Sequence, residues 1–229
     1  MSPAPTALSG QLWADSADLA QAALHSDFVR GVADGTLPRE VFAGYVAQDA
    51  HFLLAFVRAY ALALAAAPDR ETVLAFADLI AGVRDELGLH QAYAASWDAE
   101  PVGPGPATLA YTDFLLATAA TGGLAATCAA MTPCMRLYAW LGQSLGTPRG
   151  PYADWVRTYA DPGFAALAAR LEALLDTHAE DSPAIRRAYR RAMELELAFF
   201  HATGRTATPA GSRAMPRLQE GPAAPRISG

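Results

Sequence analysis

Three side chains in this sequence have neighbours that suit them to act on a small flat molecule. Cys134 directly follows Pro133 in an apolar segment, and Tyr138 lies four positions on, on the same helical face. Proline inside a helix removes one backbone hydrogen bond and bends the chain. A thiol beside such a bend, with a phenol next to it, is a candidate nucleophile. The other reading is a buried thiol that packs as a small hydrophobe, and Cys128, without such neighbours, reads that way. Asp49 shares its face with Phe52 and Phe56, three and seven positions on. An acid among aromatic rings holds a flat ring by one hydrogen-bonding edge; the alternative is an acid at the rim of the core, paired with an arginine. Glu196 shares a face with Phe199 and Phe200, where desolvation raises a carboxyl pKa and suits it to donate a proton near neutral pH. The alternative for Glu196 is a partly exposed acid near Arg190 or Arg191. Glu194, two residues away, points elsewhere and reads as solvated.

Glu86 and His90, four apart, have the spacing of two metal ligands on one helix face. A helical di-iron centre needs a second such pair. None of the remaining histidines (His25, His51, His178 and His201) has an acid four residues before it. A surface or helix-bridging pair is the plainer reading, so no metal is expected.

Helices must position these groups. Apolar periodicity and punctuation predict eight or so. The first runs from Thr6 to His25, with a short continuation from Phe28 to Ala33 before the turn Asp34-Gly35. Pro38 starts a long helix to about Ala66, with proline at or near the first helical position. Pro68-Asp69 breaks it, and a second long helix runs to about Trp97. The run Pro101 to Pro106 holds three prolines and two glycines and reads as a loop. Helices follow from Pro106 to about Ala120, from Leu124 through Pro133 to Leu145, across Trp155 to Tyr159, from Asp161-Pro162 to about His178, and from Ser182-Pro183 through His201. Tyr111 opens the helix after the loop; Trp155 and Tyr159 are four apart. Each of these aromatics alone reads equally as core packing. No strand-like alternation occurs, so the fold class is all-α, a single-domain helical bundle. Residues 1–203 form the domain, and 204–229 read as a flexible tail rich in Pro, Gly and Arg.

Composition supports the helical reading and excludes several chemistries. Alanine supplies 53 of 229 residues and isoleucine three, a balance that favours helix over strand. Lysine and asparagine do not occur. There is therefore no Schiff-base or pyridoxal-phosphate lysine, no P-loop lysine, no N-glycosylation site and no Cys-His-Asn triad. The net charge is −6; the tail carries four arginines against one acid, so the body carries −9. That sign argues against nucleic acid or an anionic membrane as partner. No window is apolar enough to span a membrane. Two cysteines and a start without the pattern of a signal peptide make the cytoplasm the expected compartment.

Five segments, taken in order and spacing, resemble the TenA family, the bacterial thiaminase II or aminopyrimidine aminohydrolase proteins. They are Gln48-Asp49 with Phe52-Leu53, Tyr111-Thr112, Pro133-Cys134 with Tyr138, Trp155 with Tyr159, and Glu196 with Phe199-Phe200. The resemblance covers about Leu8 to Thr203 and points to the cysteine-bearing branch. It implies a helical bundle of haem-oxygenase-like topology, a homotetramer, and salvage of thiamin breakdown products without a cofactor. It makes Cys134 the nucleophile and Glu196 the acid/base. Asp49 would grip the pyrimidine's amino group and ring nitrogen, Tyr138 would sit beside the cysteine, and Tyr111, Tyr159 and Phe199 would line the pocket, with Phe52 stacking. Where the family's bacterial thiaminases carry a tyrosine, this chain has Phe52, which keeps the ring and loses a hydroxyl. Two other functions are compatible with the residues: a non-catalytic pyrimidine- or thiamin-binding module, and a haem- or di-iron-binding member of the same fold class. For haem, His25 is the only candidate axial ligand on the first helix.

Overall fold

The computed structural model describes residues 7–96, 102–147 and 150–204, without the side chains of 89–96. The expected tail and part of the Pro/Gly loop lie outside the described residues. Ten α-helices are described: α1 (Leu8–Asp15), α2 (Ala17–Leu24), α3 (Asp27–Asp34), α4 (Arg39–Ala65), α5 (Arg70–Ser96), α6 (Pro106–Thr121), α7 (Gly123–Ser144), α8 (Ala153–Ala160), α9 (Pro162–His178) and α10 (Pro183–Gly204). A single turn of 3-10 helix, Gly150–Tyr152, precedes α8. No strand occurs among the described residues.

Most boundaries fall within a residue or two of their punctuation, for readable reasons. Ser26 caps α3 by accepting from the Val29 amide, and Gly35 ends it in a left-handed conformation at φ 69°. Asp69 accepts from the Thr72 amide at the start of α5. Asp161 caps α9 from the Gly163 amide, with Pro162 at the first helical position. One boundary differs. The helix expected from Thr6 to His25 is two, parted at Ser16. α1 packs on α9, and α2 on α10. Ser9 donates its amide and hydroxyl to Asp176 at 2.7 and 2.8 Å, holding α1. Arg190 grips Asp18 on α2 at 2.5 and 2.7 Å and also donates to the Asp15 carbonyl at the break. A straight helix could not satisfy both partners, and no periodicity within the segment carries that information.

α4 and α7 form the centre. α4 packs on α5, α6, α7 and α10; α7 packs on α4, α6, α8, α9 and α10. The buried stripe of α4 is Phe42, Tyr45, Asp49, Phe52, Phe56 and Tyr60, spaced at three and four. α7 stays helical through Pro133, and it is buried almost all round from Thr127 to Gly142. Two devices fix its neighbours. Gln48 on α4 ties down the start of α6, accepting from the Gly105 amide (2.7 Å) and Thr108 hydroxyl (2.6 Å) and donating to the Gly103 carbonyl (3.1 Å). At the other side, Gly142 lets α8 lie directly on α7. A Cβ at residue 142 would stand 2.4 Å from the Tyr159 carbonyl carbon and 2.5 Å from the Ala160 nitrogen.

Backbone cannot swing aside as a flexible side chain can. Gly142→Ala is therefore expected to push α8 outward and lower stability by about 1–3 kcal/mol, the usual cost of overpacking. Urea unfolding of the two proteins checks this, with an unchanged midpoint as the contrary result.

Candidate active site

Helices α4, α5, α6, α7, α8 and α10 each direct a polar side chain into one aromatic-lined cluster in the middle of the bundle. Glu196 of α10 is 1% exposed and Asp49 of α4 is 4% exposed. The Tyr111 hydroxyl donates to Glu196 Oε1 at 2.8 Å, and Glu196 is also hydrogen-bonded to Cys134. Tyr45 is hydrogen-bonded to Asp49. Its hydroxyl also donates to that of Tyr138 (3.3 Å) and accepts from Trp155 Nε1 (3.2 Å). Tyr159 donates to Glu86 Oε1 at 2.6 Å. Rings close the walls. Phe52 lies 4.7 Å from Tyr111 and 6.3 Å from Phe199; Tyr138 meets Tyr159 edge-on at 4.7 Å.

The structure thus brings together all eight residues singled out in the sequence: Cys134, Glu196, Asp49, Tyr138, Tyr111, Tyr159, Phe52 and Phe199. It rejects the alternatives for two of them. Glu196 is not a partly exposed acid near arginine, because α10 turns it inward while Glu194 faces out to Arg191 at 3.2 Å. Asp49 is not at the rim beside an arginine; the charges that act on it are Glu86 and Glu196. Tyr111 does not open α6 but sits more than a turn inside it, since the helix starts at Pro106 as its punctuation predicts.

Two participants were not singled out for this site. Tyr45 stands one turn before Asp49, within the spacing that makes helical neighbours. Glu86 was read as half of a surface or metal pair. It lies instead on the inward stripe of α5 with Leu79 and Val83, at i, i+4 and i+7, which is the spacing that could have revealed it. The His90 side chain lies outside the described residues. No group of three or more potential metal ligands occurs among the described residues. His25 is exposed at the end of α2, with Nδ1 2.7 Å from the Gln21 carbonyl, and does not face the cluster.

Burial decides the charge state here. It pushes the Glu196 carboxyl up to about 7, against the opposing hydrogen bonds from Tyr111 and Cys134. Burial likewise pushes Glu86 up to about 7, against the Tyr159 hydrogen bond. Asp49 is raised by burial and then by repulsion from Glu86 and Glu196. The Cys134 thiol is raised by burial and then by Glu196, Glu86 and Asp49. The resting cluster is a neutral thiol among carboxyls that are all raised toward or above neutrality.

The model of the TENA/THI-4/PQQC family matches residues 13–206 of the chain. The chain belongs to this family. A bifunctional TH2 protein, mitochondrial by its name, from Arabidopsis thaliana is 37% identical over 86% of the chain, which spans only 37% of that protein's length. The aminopyrimidine aminohydrolase of Halalkalibacterium halodurans is 33% identical, over 70% of this chain and 76% of that one. A crystal structure of a TenA family transcription regulator from a Silicibacter species superposes with a TM-score of 0.77. It is 28% identical over 85% of this chain and 95% of that one. The fold is the family's all-helical bundle, of haem-oxygenase-like topology, and among the described residues no helix is long and apolar enough to cross a membrane.

The raised carboxyl pKa values have a thermodynamic consequence. Between the unfolded value of 4.5 and the folded value of about 7, the native protein holds a proton on Glu196 that the unfolded chain has released. Stability from this group is complete below pH 4.5 and is lost as pH rises through 7, a change of about 3 kcal/mol at most. Glu86 contributes in the same direction. Glu196→Gln is expected to flatten the fall in unfolding free energy between pH 5 and 7.5. Chemical denaturation at these two pH values measures it, and a slope equal to the wild type's would refute the assignment.

Proposed function

We propose that this chain is a hydrolase of thiamin salvage that converts an aminomethyl-pyrimidine to the hydroxymethyl-pyrimidine and ammonia, with Cys134 as nucleophile and Glu196 as acid/base. The observation that carries this reading is the pairing of Cys134 with a buried carboxyl poised near neutrality, itself held by Tyr111 at 2.8 Å. Membership of the TENA/THI-4/PQQC family and likeness to proteins named aminopyrimidine aminohydrolase support it.

A neutral Asp49 suits the substrate's edge. A protonated carboxyl donates one hydrogen bond and accepts another, so it matches a ring nitrogen beside an amino group. Phe52 and Phe199 supply stacking faces. Because burial raises the Cys134 thiol, the free thiolate is scarce, and the proton must leave as the bond forms. The thiol proton passes to the Glu196 carboxylate while sulfur bonds to the ring carbon next to a ring nitrogen, and that nitrogen takes a proton from Asp49. The ring's electrons then expel the arm's ammonium as ammonia, which takes the proton held by Glu196 and leaves as ammonium, and Asp49 recovers its own. Water adds to the resulting exocyclic methylene, giving its proton to Glu196 as Asp49 again protonates the ring nitrogen. Departure of sulfur restores the aromatic ring, Asp49 and the thiol. The net change is one water consumed and the arm's nitrogen released as ammonium, so a carboxyl with an affinity near neutrality fits both halves of the cycle.

Expected on this reading is that Cys134→Ser abolishes ammonia release from aminomethyl-pyrimidine while the folded helical spectrum survives. Glu196→Gln is expected to lower kcat by about 100-fold or more, the ordinary contribution of general acid–base catalysis. An ammonia-release assay on aminomethyl-pyrimidine, with release of the thiazole followed for thiamin, decides it. Activity retained by Cys134→Ser sinks the nucleophile. Tight binding with no ammonia from the wild type would favour a non-catalytic pyrimidine-binding module instead.

A further inference from the structure

Glu86 has no task in the reaction just described, yet it is the third carboxyl of the cluster, half-buried where Asp49 and Glu196 are buried. It also stands at a boundary. Its carboxyl accepts from Tyr159 on the inner side at 2.6 Å, and the same residue lines a cleft of about 520 Å³ between α5, α7, α8 and α9. Met135, the residue after Cys134, lines that cleft as well, together with Leu79, Phe164 and Arg157. The wall between cleft and cluster is thus one side chain thick. It consists of Tyr159, held edge-on by Tyr138 at 4.7 Å and Phe164 at 5.0 Å, with Glu86 bonded to its hydroxyl.

The remaining charges of the cleft are otherwise engaged or lie outside. Asp85 is exposed and paired with Arg84 at 3.2 Å. Arg157 is exposed and paired with Asp154 at 2.7 Å. Asp161 is committed to the amide of Gly163. Facing Glu86 from within are Tyr159 on α8, Asp49, Tyr45 and Tyr60 on α4, and Cys134 on α7, none of them a cation. Among the ionisable groups lining the cleft, Glu86 is the one whose charge acts on both Asp49 and Cys134. A cation arriving from the cleft and reaching toward the nucleophile therefore meets Glu86.

We propose that Glu86 is a specificity-determining residue whose carboxylate holds the positively charged leaving arm of the substrate at the cleft side of the cluster. This rests on the aminopyrimidine reading above. The arm in question is a primary ammonium or a thiazolium, both cations in neutral water, whereas the product's hydroxymethyl arm is neutral. An ion pair at this half-buried carboxylate favours the charged ligand, and the neutral product is released once the charge has left as ammonium. The Tyr159 hydrogen bond keeps the carboxylate aimed at the arm.

Substitution by glutamine separates charge from position, since the amide oxygen still accepts from Tyr159. Titration calorimetry at pH 7 on full-length Cys134→Ser protein, with and without Glu86→Gln, compares aminomethyl-pyrimidine with hydroxymethyl-pyrimidine. With Glu86 present, the charged ligand is expected to bind roughly tenfold tighter than the neutral one, the effect of an ionic hydrogen bond of ordinary strength. Glu86→Gln is expected to bring the two affinities to within about twofold of each other by weakening only the charged ligand. A preference unchanged by Glu86→Gln, or equal weakening of both ligands, overturns the assignment while leaving the aminopyrimidine reading intact. Binding of neither ligand to the Cys134→Ser protein overturns both.

Discussion

The constraint on which the rest of this molecule depends is the packing of three carboxyl groups and a thiol beside one another, with Asp49, Glu196 and Cys134 buried and Glu86 half-buried. Asp49, Glu86 and Glu196 come from three helices, and each has its carboxyl raised first by loss of water. An isolated buried carboxylate is costly enough that the group holds its proton instead. The cluster is tolerable because tyrosines replace water as partners. Tyr111 serves Glu196, Tyr159 serves Glu86, and Tyr45 serves Asp49 while bridging Tyr138 and Trp155. A phenol is a suitable substitute, since its ring packs as core and its hydroxyl both donates and accepts.

That requirement explains the scaffold around it. Each tyrosine must reach its acid to within a few tenths of an ångström, so the helices that carry them are fixed by specific devices as well as by apolar burial. Gln48, next in sequence to Asp49, anchors the start of α6 and hence the height of Tyr111. Gly142 allows the backbone of Tyr159 to rest on α7, bringing it within reach of Glu86 and Tyr138. Phe28, buried on α3, packs on Tyr45 at 4.6 Å and Phe200 at 5.6 Å, behind the hydrogen-bonded layer. The aromatic core and the polar cluster are one structure, because the same rings serve both.

The helices and most of the cluster were legible in the sequence because they follow from local spacing. Asp49 with Phe52 and Phe56, and Glu196 with Phe199 and Phe200, declare their faces within one helix, and the cappers Ser26, Asp69 and Asp161 declare its ends. What escaped depends on contacts between distant segments. The break at Ser16 arises because α1 and α2 bind different partners, Asp176 and Arg190. Glu86 escaped because its meaning lies in Tyr159, 73 residues away. Read alone with His90, it has metal-ligand spacing; read with Leu79 and Val83, it is an acid on an apolar stripe. The second pattern was present in the sequence but has chemical meaning only once a phenol faces it.

The state of Cys134 in the resting site follows from the same constraint. Burial and three nearby carboxyls all act to keep its proton on, so the site does not store a reactive thiolate. A low-pKa exposed thiol is the kind most open to oxidation, and this one is neither. On the proposed reading, reactivity arises when a bound ring accepts electrons and protons from the side chains already placed around it. The loss of a hydroxyl at Phe52 fits within that scheme. Its ring packs at 4.7 Å on Tyr111, whose own hydroxyl is committed to Glu196. On the proposed reading residue 52 shapes the stacking face, while the proton-handling groups are Cys134, Glu196 and Asp49, each buried on a different helix of the bundle.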